Sequence, residues 1–208
     1  MSIICPTILA HTPAEFEAQI ARLSPFAERV QIDLTDGDFA APATLNLNQL
    51  YWPEGWAVDL HLMFRAPTQW TEALVALHPH LVIIHAEAEG DLPALVQHLQ
   101  KFGIKTGVAL LPDTSVDGAR NLIKLCDHTL LFGGNLGAMG GTASLLGLAK
   151  LDKVLEINPK AEIGWDGGAN LDNVAEIAAA GVDVINVGSA IAKAENPAEM
   201  YEKLTRLC

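Results

Sequence analysis

The apolar run Leu81-Val82-Ile83-Ile84-His85, the helically spaced stretch Leu92–Phe102, Gly103 and a second apolar run, Lys105–Leu110, together decide the fold. Short runs of β-branched and apolar residues read as buried strands, and apolar residues recurring every three to four positions read as a helix. Gly103 sits where such a helix stops, because glycine adopts the left-handed backbone of that position at little cost. Strand, helix and strand in this order make a crossover that leaves the two strands parallel.

Working outward, the same alternation recurs eight times, with strands expected at Ile3–Leu9, Arg29–Leu34, Ala57–Met63, Leu81–His85, Lys105–Leu110, His128–Phe132, Ala161–Trp165 and Val184–Val187. Helices fill the gaps. The clearest are Pro13–Leu23, Pro67–Ala76, Leu92–Phe102, Leu171–Ala180 and Pro197–Leu207; Pro13 marks a helix start and Gly181, like Gly103, a helix end. No Pro/Gly/Ser-rich linker or low-complexity segment interrupts the series. The expectation is therefore an α/β protein with one domain over residues 1–208, a single (β/α)8 TIM barrel rather than a doubly wound open sheet. Barrels run typically to about 250 residues, so a chain of 208 has short loops and must place functional groups at strand ends.

Composition narrows the ligand. With 13 Lys+Arg against 25 Asp+Glu the formal charge is −12, and no basic cluster offsets it. Phosphate backbones and anionic lipid surfaces are repelled, which excludes nucleic acid and membranes as expected partners and leaves small molecules. Cys5, Cys126 and Cys208 are too widely spaced for a disulfide framework or a C-x-x-C metal site. Free thiols, no apolar leader after Met1 and no apolar run of membrane-spanning length make the cytoplasm the expected location.

Residues two apart in a strand share a face. Gln31 and Asp33 therefore point the same way, as do Asp59, His61 and Met63, while Asp166 closes the seventh strand. A carboxylate in an apolar strand is costly to bury without a partner, and a metal or another cation would relieve that cost. Competing readings are structural: a lone strand histidine such as His61 or His85 is commonly a hydrogen-bonded core residue. Asp36-Gly37 reads as a turn and Met63 as core filler. Glycine-bearing segments follow the last three strands: Gly133-Gly134-Asn135-Leu136-Gly137-Ala138-Met139-Gly140-Gly141, Asp166-Gly167-Gly168 and Gly188-Ser189. The first lacks the Gly-Lys-Ser/Thr of a nucleotide loop. Loops after the last barrel strands are where backbone N–H groups commonly hold phosphate, which an acidic protein can do without lysines.

In order along the chain, Pro6-Thr7-Ile8-Leu9, Ile32-Asp33-Leu34-Thr35-Asp36-Gly37-Asp38-Phe39, Asp59-Leu60-His61-Leu62-Met63, His85-Ala86-Glu87-Ala88, Gly107-Val108-Ala109-Leu110, Asp166-Gly167-Gly168 and Gly188-Ser189-Ala190-Ile191 resemble the ribulose-phosphate 3-epimerase family. The resemblance covers nearly the whole chain. It implies a (β/α)8 barrel that epimerises C3 of a ketose 5-phosphate, with one divalent metal ion (Zn, Mn, Fe or Mg) held by two histidines and two aspartates. Carried over by position, Asp33, His61 and Asp166 match three metal ligands, and Asp33 and Asp166 match the acid/base pair. Gln31 stands in the fourth ligand position, where the family has histidine. Further departures are Thr7 for a serine, Thr35 for a methionine, Leu111 for an asparagine and a rewritten sixth loop, leaving Met63 as the remaining methionine beneath the reaction plane. The substrate-binding set is Thr7, His61 and Met63 around the sugar, with Gly140, Gly141, Gly167, Gly168, Gly188 and Ser189 on the phosphate. The family also implies a homo-oligomer. A related barrel lyase would need a lysine where this chain has Thr35. The remaining alternatives are an epimerase of a hexulose 6-phosphate and a non-catalytic sugar-phosphate binder.

Overall fold

The structure, a computed structural model, describes residues 2–137 and 144–208. Eight parallel strands close into a barrel in sequence order: β1 Ile3–Leu9, β2 Arg29–Thr35, β3 Ala57–Met63, β4 Leu81–His85, β5 Lys105–Leu110, β6 His128–Phe132, β7 Glu162–Asp166 and β8 Val184–Val187. β1 pairs with both β2 and β8, which closes the ring. The described α-helices are α1 Pro13–Leu23, α2 Thr71–Leu77, α3 Leu92–Lys101, α4 Arg120–Leu125, α5 Leu151–Ile157, α6 Val174–Ala179, α7 Ser189–Ala192 and α8 Pro197–Arg206, with 3-10 turns at Leu47–Gln49, Pro67–Trp70 and Leu145–Lys150.

Alternation along each strand divides the core in two. Val58, Leu60 and Leu62 of β3 join the large apolar layer shared with the helices. Asp59, His61 and Met63, between and after them, turn into the barrel. A small separate cluster, Leu81, Ile83, Ala109 and Leu130, fills the interior beside β4, β5 and β6. The opposite half of the interior is polar.

Several boundaries differ from the sequence expectation. β2 runs one residue further, to Thr35, whose N–H donates to Thr44 Oγ1 at 2.9 Å. β7 is displaced by one and ends on Asp166. No α-helix joins β2 to β3; the connection contains one 3-10 turn, Leu47–Gln49, capped by Asn46. Pro42, Pro53 and the positive-φ residues Gly37 and Gly55 break this segment up, and buried Leu45, Leu47 and Leu50 cover the barrel as a helix face would. Asp36-Gly37 is a turn, with Asp36 Oδ1 accepting from the N–H groups of Asp38 and Phe39 at 2.9 and 2.7 Å. The helix expected over Pro67–Ala76 is a 3-10 turn, Pro67–Trp70, followed by α2. The one expected over Leu171–Ala180 starts only at Val174, after an Asn170–Asn173 turn. α3 and α8 each stop one residue short of the expected end. Among the described residues no helix is long and apolar enough to cross a membrane.

Candidate active site

The polar half of the interior carries its groups in two tiers. At the N-terminal mouth Arg29 Nε lies 2.7 Å from Asp59 Oδ2, and its two terminal nitrogens reach Glu162 at 2.8 and 2.7 Å. His80 and His128 add contacts to Asp59 and Glu162 at 2.8 and 2.9 Å. At the C-terminal rim β2, β3 and β7 bring together Asp33, His61 and Asp166. Asp33 and His61 are register partners on neighbouring strands.

Rim geometry is tight. Gln31 Nε2 donates to Asp33 Oδ1 at 2.8 Å and to Asp166 Oδ2 at 2.6 Å, so one amide group joins carboxylates from two strands. His61 Nδ1 lies 3.0 Å from the same Asp33 oxygen and 3.5 Å from the same Asp166 oxygen. The other oxygen of each carboxylate has no protein partner among the described residues. Burial and then the charge of Asp166 push the Asp33 carboxyl above its ordinary value, against the hydrogen bonds from His61 and Gln31. Burial disfavours a charged His61, but the hydrogen bonds and charges of Asp166 and Asp33 outweigh it and lift its pKa to about 9. His85 behaves oppositely. Burial lowers it to about 4, so it is neutral, and its Nε2 lies 2.9 Å from His61 Nε2.

The donor set suits a divalent cation. One ligand atom from each of Asp33, His61 and Asp166 lies within 4.8 Å of the others, and two carboxylates with an imidazole serve zinc, manganese or iron. Gln31 is oriented differently from a ligand: its amide nitrogen faces the trio, and its Oε1, the atom that could ligate, is buried without a partner. Holding a metal with Gln31 would require that amide to turn over.

The cavity above the trio is lined by the expected Thr7, Met63, Gly167, Gly168, Gly188 and Ser189. Gly140 and Gly141 lie outside the described residues. Gln31 and His85 are fully buried below it. Glycine at 167 is demanded by backbone geometry: its φ is +126°, and a Cβ there would overlap the backbone of Gly134. Loops six and seven thus meet main chain to main chain, and fully buried Trp165 braces them by donating Nε1–H to Gly167 O at 3.1 Å.

Sequence reading missed two features. Asn186 also lines the cavity, is 2% exposed and leaves its Oδ1 without a partner. Its register partner is Asp166. An asparagine inside Val184-Ile185-Asn186-Val187, at inward parity, was the signal available. The other is Glu87, whose Oε2 approaches His85 Nδ1 at 3.4 Å.

Two carboxylates from separate strands face one cavity at the rim of a parallel barrel, the end at which enzymes of this fold carry their active sites. Comparison with known proteins gives the kind: the sequence profile of the ribulose-phosphate 3-epimerase family matches residues 3–192, and the chain belongs to that family, whose members are epimerases, a class of isomerase. Ribulose-phosphate 3-epimerase of Aquifex aeolicus (strain VF5) is 28% identical over 215 aligned residues, covering 100% of this chain and 97% of the relative. That of Helicobacter pylori (strain ATCC 700392 / 26695) is 29% identical over 200, covering 93% and 92%. Among solved structures, 3-hexulose-6-phosphate synthase from Salmonella typhimurium superposes with a TM-score of 0.74 at 16% identity, covering 99% of this chain and 97% of the other. KGPDC from Streptococcus mutans gives 0.74 at 12%, covering 100% and 97%. At such identities these two likenesses concern the fold alone.

Proposed function

We propose that the chain interconverts D-ribulose 5-phosphate and D-xylulose 5-phosphate by moving the proton at C3, with Asp33 and Asp166 as the two proton carriers. The observation that carries this is the placement of both carboxylates on one cavity, each with one oxygen tied to Gln31 and His61 and the other left free. Epimerisation needs a base on one face of the carbon and an acid on the other. Burial and the neighbouring charge of Asp166 favour the protonated form of Asp33. Gln31 holds one oxygen of each carboxyl, so the two residues that line the cavity are fixed relative to each other. A divalent ion held by Asp33, His61 and Asp166 would supply Lewis-acid stabilisation of the enediolate oxygens. Backbone amides at Gly167, Gly168, Gly188 and Ser189, joined by Gly140 and Gly141, would hold the distal phosphate and set C3 between the carboxylates. No redox cofactor is required. We further propose one barrel domain, acting as a homo-oligomer in the cytoplasm on a small sugar phosphate, without nucleic-acid or membrane partners.

The test is solvent exchange. Incubated in deuterium oxide with ribulose 5-phosphate, the metal-supplemented protein should form xylulose 5-phosphate carrying deuterium at C3. Product without deuterium at C3 would reject the two-carboxylate mechanism, and exchange confined to a hexulose 6-phosphate would move the assignment to that substrate. A non-catalytic sugar-phosphate binder is the second reading, favoured by the Gln31 amide bridging the carboxylates where the family has a metal-binding histidine. It predicts binding with no exchange on either sugar.

A further inference from the structure

A chain of hydrogen-bonding groups leaves the rim trio on the side away from the cavity. His61 Nδ1 faces Asp33 and Asp166, and its Nε2 meets His85 Nε2 at 2.9 Å. Two ring nitrogens at that distance share one proton, so one ring donates and the other accepts. For His61 to offer the Nδ1 lone pair to a metal, its proton must sit on Nε2 and be donated to His85. His85 must then carry its own proton on Nδ1, which faces Glu87 Oε2 at 3.4 Å. Among the described residues, Nδ1 of His85 is buried and makes no hydrogen bond, and Glu87 Oε2 is the acceptor placed to take its proton.

Glu87 is itself fixed in orientation. Its Oε1 accepts from the Thr114 hydroxyl and from Leu111 N–H, the latter at 3.3 Å. Lys150 Nζ clamps that loop by donating to Leu111 O at 2.6 Å and Thr114 O at 2.9 Å. Two donors thereby occupy Oε1, and Oε2 is left for His85.

We propose that Glu87, acting through His85, keeps the Nε2 proton of His61 directed at His85, so that His61 gives up its Nδ1 proton in favour of a metal and turns that lone pair towards Asp33 and Asp166; Glu87 and His85 are positioning residues. The proposal rests on reading the trio as a metal site. A carboxylate only accepts, so it forces the proton onto His85 Nδ1, and the order propagates to His61. Partners behind a ligating histidine commonly change metal affinity by about 10–100-fold.

Glu87→Gln tests this, because Thr114 and Leu111 both donate and must hold the amide oxygen, which turns the amide nitrogen towards His85 Nδ1. The His85 proton should then move to Nε2, forcing His61 to accept there and blocking Nδ1. In ¹⁵N-histidine NMR of metal-free protein at neutral pH, wild type should show His85 protonated at Nδ1 and Glu87→Gln at Nε2. Chelator competition with Mn²⁺ should show the variant binding about 10–100-fold more weakly, with Glu87→Asp partly restoring affinity. Wild-type His85 protonated at Nε2, or a variant with unchanged His85 tautomer, would overturn the proposal, as would unchanged Mn²⁺ affinity where wild type binds the ion. A purely structural Glu87 would lower the melting temperature and leave the tautomer alone. Absence of Mn²⁺ binding by wild type would reject the metal reading while the NMR result still decides the tautomer chain.

Discussion

The same three strands build two polar clusters with opposite electrostatic solutions. At the mouth, β2, β3 and β7 supply Arg29, Asp59 and Glu162; at the rim they supply Asp33, His61 and Asp166. Each cluster holds two carboxylates. At the mouth a permanently charged guanidinium reaches both of them, and Asp59 tolerates near-complete burial because of it. At the rim, among the described residues, no lysine or arginine comes within ion-pair distance of Asp33 or Asp166; the partners are an amide and a histidine. A closed cluster needs nothing further and serves stability, whereas one held by titratable and neutral groups remains able to exchange protons or accept a cation.

Removing a rim carboxylate should therefore cost activity and spare the fold. Asp33→Asn or Asp166→Asn should lower turnover by at least about 10²–10⁴-fold, the usual worth of a positioned acid or base, while the metal-free protein keeps a cooperative melting transition. Near wild-type turnover in either variant would end the two-carboxylate assignment. At the mouth the pattern inverts. Arg29→Met leaves Asp59 buried and stripped of its cation, and breaking a buried pair from one side costs about 3–5 kcal/mol. Urea unfolding should register that loss, with turnover per folded molecule retained; an unchanged midpoint would mean the mouth cluster is not a structural plug.

Titration should separate the tiers. Although burial opposes it, hydrogen bonds from Arg29 and His128 hold the Glu162 carboxyl well below its ordinary range. Its stabilisation is present above the unfolded value of about 4.3 and disappears as pH falls towards the folded one. His61 runs the other way: with its pKa raised to about 9, its contribution is complete below the unfolded value of about 6.5 and is lost as pH rises through 9. Melting curves of chelator-treated protein should thus fall at both ends. Glu162→Gln should flatten only the acid limb and His61→Asn the alkaline one; an alkaline limb that survives His61→Asn would remove His61 as its source.

Which parts of this were legible beforehand follows from how locally each is encoded. Helices α1, α3 and α8 begin at side-chain caps, Thr12, Asp91 and Asn196, and they match their expected positions to within a residue. α4 and α5 begin at Ala119 and Lys150 with no side-chain cap and are short, held instead by buried Leu122, Ile123, Leu151 and Val154; tertiary packing specifies them and local pattern does not. In the site, Asp33, His61 and Asp166 could be grouped from strand parity and position. A hydrogen bond from Gln31 to Asp33 was legible too, as two same-face residues of one strand, but Gln31 reaching Asp166 and His85 meeting His61 were not, because they depend on barrel register across strands distant in sequence.

The Gln31 amide offers a smaller perturbation of the rim. Its two charge-assisted hydrogen bonds favour the orientation seen here, and an amide oxygen is a weaker donor than imidazole, so Gln31→His should increase zinc retention after chelation and reloading. Wild type should hold metal substoichiometrically and respond to Mn²⁺. Equal zinc content in both proteins would mean that position 31 contributes nothing to the metal site.

The smallest expected effect lies at Asn186 on the rim, where a buried oxygen goes without the protein partners that both carboxylates of the mouth possess. Its Oδ1 is buried and unpartnered beside Asp166 on the cavity wall, and leaving such a group unmade costs about 1–3 kcal/mol. Among the described residues nothing recovers that cost, and a substrate hydroxyl entering the cavity would be a fitting donor to the amide. Asn186→Val, of similar volume, should raise the melting temperature by the equivalent of about 1 kcal/mol and raise KM several-fold, with a smaller change in kcat. Stabilisation with unchanged KM would instead make Asn186 an unsatisfied core residue with no part in recognising the substrate.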